Sequence, residues 1–134
     1  MSALFAGSAV TLGMLGGMSQ VQQDSFQFSR GTSFVAGEHE RLRGYLAKAL
    51  PDERIHIVAL GHTGTSGDAT ANLELSEARA ELVTDLTNEL GIPKNRVTVK
   101  GVGGASPLPQ KEGETDRAHQ LRLARVEISL QVRR

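Results

Sequence analysis

The run Arg125ValGluIleSerLeuGlnValArg133 alternates apolar and polar residues without a break. Val126, Ile128, Leu130 and Val132 fall on one face of an extended chain, and charged or polar groups fall on the other. That period of two marks a strand with one face on a core. Such a strand needs strand neighbours and an apolar layer above it, and the upstream segments supply both. Arg54IleHisIleValAlaLeu60 is a nearly continuous β-branched run of the kind found in a strand covered on both faces. Arg96ValThrValLys100 is a second short strand and Ser25PheGlnPhe28 a third, with a turn predicted over SerArgGlyThrSer at 29–33.

Two amphipathic helices supply the layer. From Glu38 to Leu50 the residues Leu42, Tyr45, Leu46, Ala49 and Leu50 recur at helical spacing, Glu38 and Glu40 lie in the first turn, and Lys48 lies in the last. Pro51 stops that helix. After a loop at Gly61–Asp68, a second helix is expected with Ser76 as its cap, Glu77 at its positive end, and a stripe of Leu75, Ala78, Leu82, Val83, Leu86 and Leu90. Gly91 suits a left-handed cap, Ile92 can pack back on the last turn, and Pro93 prevents continuation. A glycine-rich loop at Gly101–Pro109 and a polar stretch at Gln110–Thr115 lead into a short helix at Asp116–Arg122. The order β-α-β-α-β-(short α)-β predicts an α+β two-layer sandwich, a mixed four-stranded sheet with helices packed on one face.

The 134 residues are enough for one domain that folds without staples. There is no cysteine, which excludes disulfides, thiolate metal sites and a lipid-modified cysteine. Fifteen basic residues balance fifteen acidic ones, so the electrostatic reason to expect nucleic acid is missing. Residues 1–23 carry no ionisable side chain and form a small, apolar, glycine-interrupted lead, expected to be a trimmed export signal, an anchor or a tail; residues 24–134 are expected to form the domain. A membrane would be reached only through this lead or through a partner.

Three constellations are candidates for chemistry. Gly61, Gly64 and Gly67, like Gly101, Gly103 and Gly104, follow strands, yet lack the Lys and Ser or Thr of a phosphate loop. They read as turn glycines. The histidines His39, His56, His62 and His119 include no metal-ligand spacing and read as surface or loop residues, so no metal or cofactor is expected. Arg79 is the exception. With Leu75 at zero on a wheel of about 100° per residue, Arg79 falls at roughly 40°, inside an apolar arc of about −60° to 80°. It also lies in the expected first turn, the wrong end for a cation. The plain reading is a stem packed on the core with its head snorkelling out. The functional one is an anion site where the guanidinium and the helix-start N–H groups converge on a carboxylate.

Gly61HisThrGlyThrSerGly67, Asn72, Leu75SerGluAlaArgAla80, Gly91IlePro93, Lys100GlyValGly103, Pro107 and Arg125ValGluIle128 together resemble the OmpA-like C-terminal domain family, over Phe26 to about Leu130. The resemblance implies that family's mixed sheet with helices on one face, a bacterial periplasmic location, and non-catalytic binding of peptidoglycan. It assigns ligand contacts to Thr63, Gly64, Asn72, Leu75, Ser76, Arg79 and Arg125, with Arg79 on the backbone carboxylate of diaminopimelate in the stem peptide. The family's aspartate for the ligand ammonium is replaced by Gly64, and Leu123 and Ala124 stand where Asn and Arg are usual. Losing one charged hydrogen bond of about 1.5–3 kcal/mol weakens binding by one to two orders of magnitude, unless Asp68 substitutes.

Two functions follow from these residues. One is a periplasmic, non-enzymatic module that holds an envelope protein or assembly to peptidoglycan through Arg79. The other is a degenerate OmpA-like domain that has lost wall binding and docks onto other envelope proteins in a secretion, pilus or motor complex.

Overall fold

The structure is a computed structural model that describes residues 18–133; residues 1–17 of the expected lead lie outside the described residues. The chain forms β1 (Met18–Arg30), the two-residue β2 (Ser33–Phe34), α1 (Glu38–Ala47), β3 (Ile55–His62), the long helix α2 (Ala69–Glu89), a 3-10 turn at Lys94–Arg96, β4 (Val97–Gly101), α3 (Asp116–Leu123) and β5 (Arg125–Arg133). The strands make one sheet in the order β2-β1-β5-β3-β4. β5 runs antiparallel to β1 and to β3, while β3 and β4 are parallel. The parallel pair is joined through α2, as parallel strands require a crossover.

The α+β class and the one-sided helices are as expected, but the sheet has five strands and not four. The additional strand arises where a turn is predicted to pass into loop: Phe34 pairs with Phe28 and stacks on its ring at 4.4 Å. Two paired residues leave no period to read. β1 also begins well before Ser25, and its polar first half pairs along β5, starting with Met18 opposite Arg133. Main-chain ladder bonds do not depend on side-chain polarity, so hydropathy does not register them.

The core lies between the sheet and helices α1 and α2. Phe26, Phe28, Ile57, Ala59, Val126, Ile128 and Leu130 meet Leu42, Tyr45 and Leu46 of α1 and Val83 and Leu86 of α2. Each buried Phe, Leu or Ile contributes on the order of 1.5–3 kcal/mol. The other face of β5 is polar yet also buried: Arg125, Glu127, Ser129 and Gln131 are at most 2% exposed.

α2 does not start at Ser76. It starts at Ala69, with Asp68 as its cap: the Asp68 carboxylate accepts the Ala71 N–H at 2.8 Å. The first turns are mostly exposed, so no apolar stripe announces them. The far end is as predicted, with Gly91 at φ 84° and the Ile92 N–H on the Thr87 carbonyl at 2.9 Å. The turn reading of Gly61 and Gly101 is corrected. They are register partners in β3 and β4, and a Cβ on either would overlap α2 backbone at Ser76 or Glu77. Bare Cα atoms are what let the helix sit this low on the sheet.

Candidate functional site

The loop after β3 is held by short contacts to the loop after β4. The Thr63 N–H donates to the Gly103 carbonyl at 3.0 Å, and the Gly103 N–H donates to the Ser76 hydroxyl at 2.8 Å. Ser76 in turn donates to the Leu73 carbonyl at 2.7 Å and is fully buried. Asn72 donates to the Ser66 carbonyl at 2.9 Å, and the Thr63 hydroxyl to the Gly64 carbonyl at 2.8 Å. Thr63, Gly64, Asn72 and Ser76 therefore converge on one end of the sheet, with Ser76 and Thr63 acting on the backbone. Leu75 is half-buried on α2 beside them. A cleft of about 420 Å³ opens there between Thr65, Asn72, Leu73, Gly103 and Gly104.

Arg79 is 3% exposed, so the wheel placed it correctly on the buried side. Because α2 begins at Ala69, Arg79 sits in mid-helix, away from the free N–H groups of the helix start; the expected convergence with those groups is overturned. Its Nε donates to the Gly31 carbonyl at 2.7 Å, its Nη1 to the His62 carbonyl at 2.8 Å, and its guanidinium carbon lies 4.9 Å from the Phe28 ring centre. Among the described residues no carboxylate pairs with it. Burial alone pulls its pKa down to about 10, still well above neutrality.

Arg125 is buried differently. It donates to Glu127 at 3.0 Å, to the Leu123 carbonyl at 2.9 Å and to the Ser106 carbonyl at 3.1 Å. Burial lowers its pKa and the Glu127 carboxylate opposes that shift. Glu127 also accepts the Nε2–H of His62 at 3.1 Å, while His62 Nδ1 is buried with no partner among the described residues. His62 thus joins the two arginines, through its carbonyl to Arg79 and through its ring to the Arg125–Glu127 pair. The surface reading of His62 and His56 is corrected: they are 1% and 9% exposed, and His56 bonds the Thr98 hydroxyl at 2.8 Å. Glu127 was legible as a charge two residues from Arg125 on the same strand face.

Gly64 faces Gln120 of α3, a residue with no signal in the sequence. A Cβ at Gly64 would collide with the Gln120 carboxamide oxygen, with the amide carbon at 3.4 Å. That oxygen accepts the Thr65 N–H at 2.8 Å, and the Gln120 amide nitrogen donates to the Thr65 hydroxyl at 2.8 Å. Asp68 is exposed and caps α2. Among the described residues there is no cluster of His, Cys, Asp and Glu able to hold a metal, and no helix is long and apolar enough to cross a membrane.

Known proteins resemble this chain in sequence and in fold. The chain is 36% identical over 80 residues to the outer-membrane lipoprotein YfiB of Pseudomonas aeruginosa, an alignment covering 59% of this chain and 48% of that one, so the chain spans about half the length of this relative. Its fold matches the peptidoglycan-associated lipoprotein of Burkholderia pseudomallei with a TM-score of 0.69 at 22% identity, over 80% of this chain and 89% of the other. It also matches the periplasmic domain of Helicobacter pylori MotB with a TM-score of 0.65 at 17% identity, over 90% and 80% of the two chains. The OmpA family profile aligns with residues 27–120, most of the folded part, and the chain belongs to the OmpA family.

Proposed function

We propose that this domain is a non-catalytic module of the bacterial periplasm that binds the diaminopimelate-containing stem peptide of peptidoglycan and so anchors an envelope protein or assembly. Family membership and the names of its relatives support the wall-binding class. The observation that carries the site is Arg79, a buried guanidinium with carbonyl and aromatic neighbours but no carboxylate among the described residues. A buried charge without a counter-charge is costly, and an incoming carboxylate relieves that cost. The Gly31 carbonyl on Nε belongs to the short β1–β2 turn.

The same geometry contains the feature that favours the second reading. Gln120 fills the space in front of Gly64, where an acidic side chain would project toward a ligand ammonium. A domain closed in this way serves as a protein-docking part of an envelope complex. Sedimentation with purified sacculi, together with a titration of meso-diaminopimelate, decides between them. Wild type is expected to sediment and Arg79→Lys to do so less; if neither form binds, wall recognition is abandoned. Gain of binding in Gly64→Asp/Gln120→Ala, in a wild type that does not bind, establishes the docking reading and an intact loop frame. Gly64→Asp alone is run beside it, because the end of the flexible Gln120 side chain can shift to admit a Cβ.

A further inference from the structure

The sheet has two edges, and they are finished differently. At the β1 edge β2 pairs with Phe28 and Arg30, the Gln27 N–H donates to Glu38 at 2.9 Å, and Arg41 donates to the Ser25 carbonyl at 2.6 Å. β4 ends the sheet on the other side and pairs only with β3 among the described residues. An open edge of this kind is a template for a further strand. Beside it lies a groove of about 380 Å³ between Val99, Lys100 and Gly101 of β4 and Glu77, Ala80 and Glu81 of α2. Its helical wall is acidic. Glu74, Glu77, Glu81, Asp85 and Glu89 of α2 are exposed, whereas Arg79, the one base of the helix, is buried. Among the described residues only Glu89 of these five is in an ion pair, with Arg43 at 2.9 Å. Lys100 does not neutralise the wall from within β4. Val99 packs toward the core under the helices, so Lys100 projects to the opposite face of the sheet, the face on which Thr98 bonds His56.

The two walls have matching repeats. A strand laid along β4 turns a side chain toward α2 at every second residue, about 6.6–6.8 Å apart. Glu77, Glu81 and Asp85 follow one another at about 6 Å along the helix, and with Leu75 at zero they fall at about 200°, 240° and 280° on the wheel, in one row. We propose that the β4 edge and the Glu77–Glu81 wall form a docking groove for an extended segment of a partner protein that carries Lys or Arg at every second position. Main-chain ladder bonds to β4 supply the affinity, and the acidic row selects the side chains that face it. A second copy of the chain does not suit this edge. Antiparallel pairing of two β4 strands leaves both α2 helices on one face of the joined sheet and sets their acidic rows against each other, an unfavourable arrangement of like charge. The groove goes beyond the wall-binding reading and does not depend on it, since Arg79 lies on the buried side of α2.

The test titrates the full chain with an end-capped peptide of Lys-Thr repeats, read by calorimetry and by nuclear magnetic resonance of the β4 amides. A peptide of Glu-Thr repeats and one of the same Lys and Thr content with its lysines in a single block serve as comparators. The alternating basic peptide is expected to bind about tenfold more tightly than either. Glu77→Gln/Glu81→Gln should weaken it by about three- to tenfold, the loss of two exposed ion pairs. Glu77→Lys/Glu81→Lys should transfer the preference to the Glu-Thr peptide, and circular dichroism verifies that both variants fold. N-methylation at every Lys, or at every Thr, blocks opposite edges of the extended peptide. One of these two peptides is expected to lose binding and the other to keep it. Absence of binding, equal binding of the block peptide, equal behaviour of the two methylated peptides, or unchanged affinity in Glu77→Gln/Glu81→Gln overturns the proposal. A dimer of the chain that the peptide dissociates assigns the edge to a second copy and overturns the choice of occupant.

Discussion

Arg79 and Arg125 are both buried but held by different partners, so replacing each with methionine separates an ion pair from an uncompensated cation. Arg125→Met removes the guanidinium from Glu127, whose side chain is 1% exposed, and also vacates the Leu123 and Ser106 carbonyls. Breaking a buried pair from one side costs about 3–5 kcal/mol. Arg79→Met removes two donor bonds to carbonyls, about 1.5–3 kcal/mol each. It also removes a cation whose pKa burial pulls down to about 10, which corresponds to roughly 3 kcal/mol of desolvation. Methionine keeps an apolar stem against Phe28. The net cost at position 79 is therefore about 0–3 kcal/mol. In urea denaturation at neutral pH, with m of about 1–3 kcal/mol/M, Arg125→Met should unfold about 1 M earlier than Arg79→Met. Arg125→Met/Glu127→Leu should recover much of the loss, since both charges leave together. Equal destabilisation of the two single variants, or a double variant no more stable than Arg125→Met, would refute the reasoning.

Gly61→Ala forces a Cβ into the Ser76 carbonyl and is expected to cost about 3 kcal/mol or shift α2, read by thermal melting. Gly44→Ala on exposed α1, with nothing within 4 Å of the new Cβ, should instead stabilise by about 0.5–1 kcal/mol. Asp68→Ala removes the cap of α2 and should cost about 1 kcal/mol, whereas Asp68→Asn caps equally well. Unchanged wall binding in Asp68→Asn would exclude Asp68 as the acid that answers a ligand ammonium. Glu114 is held to about 2 chiefly by its hydrogen bonds with Arg122, and Asp52 to about 2 chiefly by Arg54. Lowered folded pKa values mean stability that is fully present above about 4.5 and is lost as pH falls toward 2. Acid titration of Glu114→Gln should show a shallower loss over that window; an unchanged slope would show that the Glu114–Arg122 pair does not contribute.

The sequence by itself determined the elements whose apolar pattern or cap chemistry is local. The alternation at 125–133, the apolar run of β3, the Gly91–Ile92–Pro93 stop and the inward position of Arg79 are all readable, because period and cap chemistry act within a few residues. Only the tertiary structure decided the features that join distant residues or hide polar ones. β2 and the polar start of β1 exist because neighbours pair with their backbones. The first turns of α2 face outward and carry no stripe, so Ser76 passes for a cap while it actually bonds Gly103. Gln120 meets Thr65 across 55 residues of sequence, and only that meeting sets a side chain against Gly64. The physical reason is common to all of these: hydrophobic period encodes which side of an element is covered, but not which polar group another element brings to it.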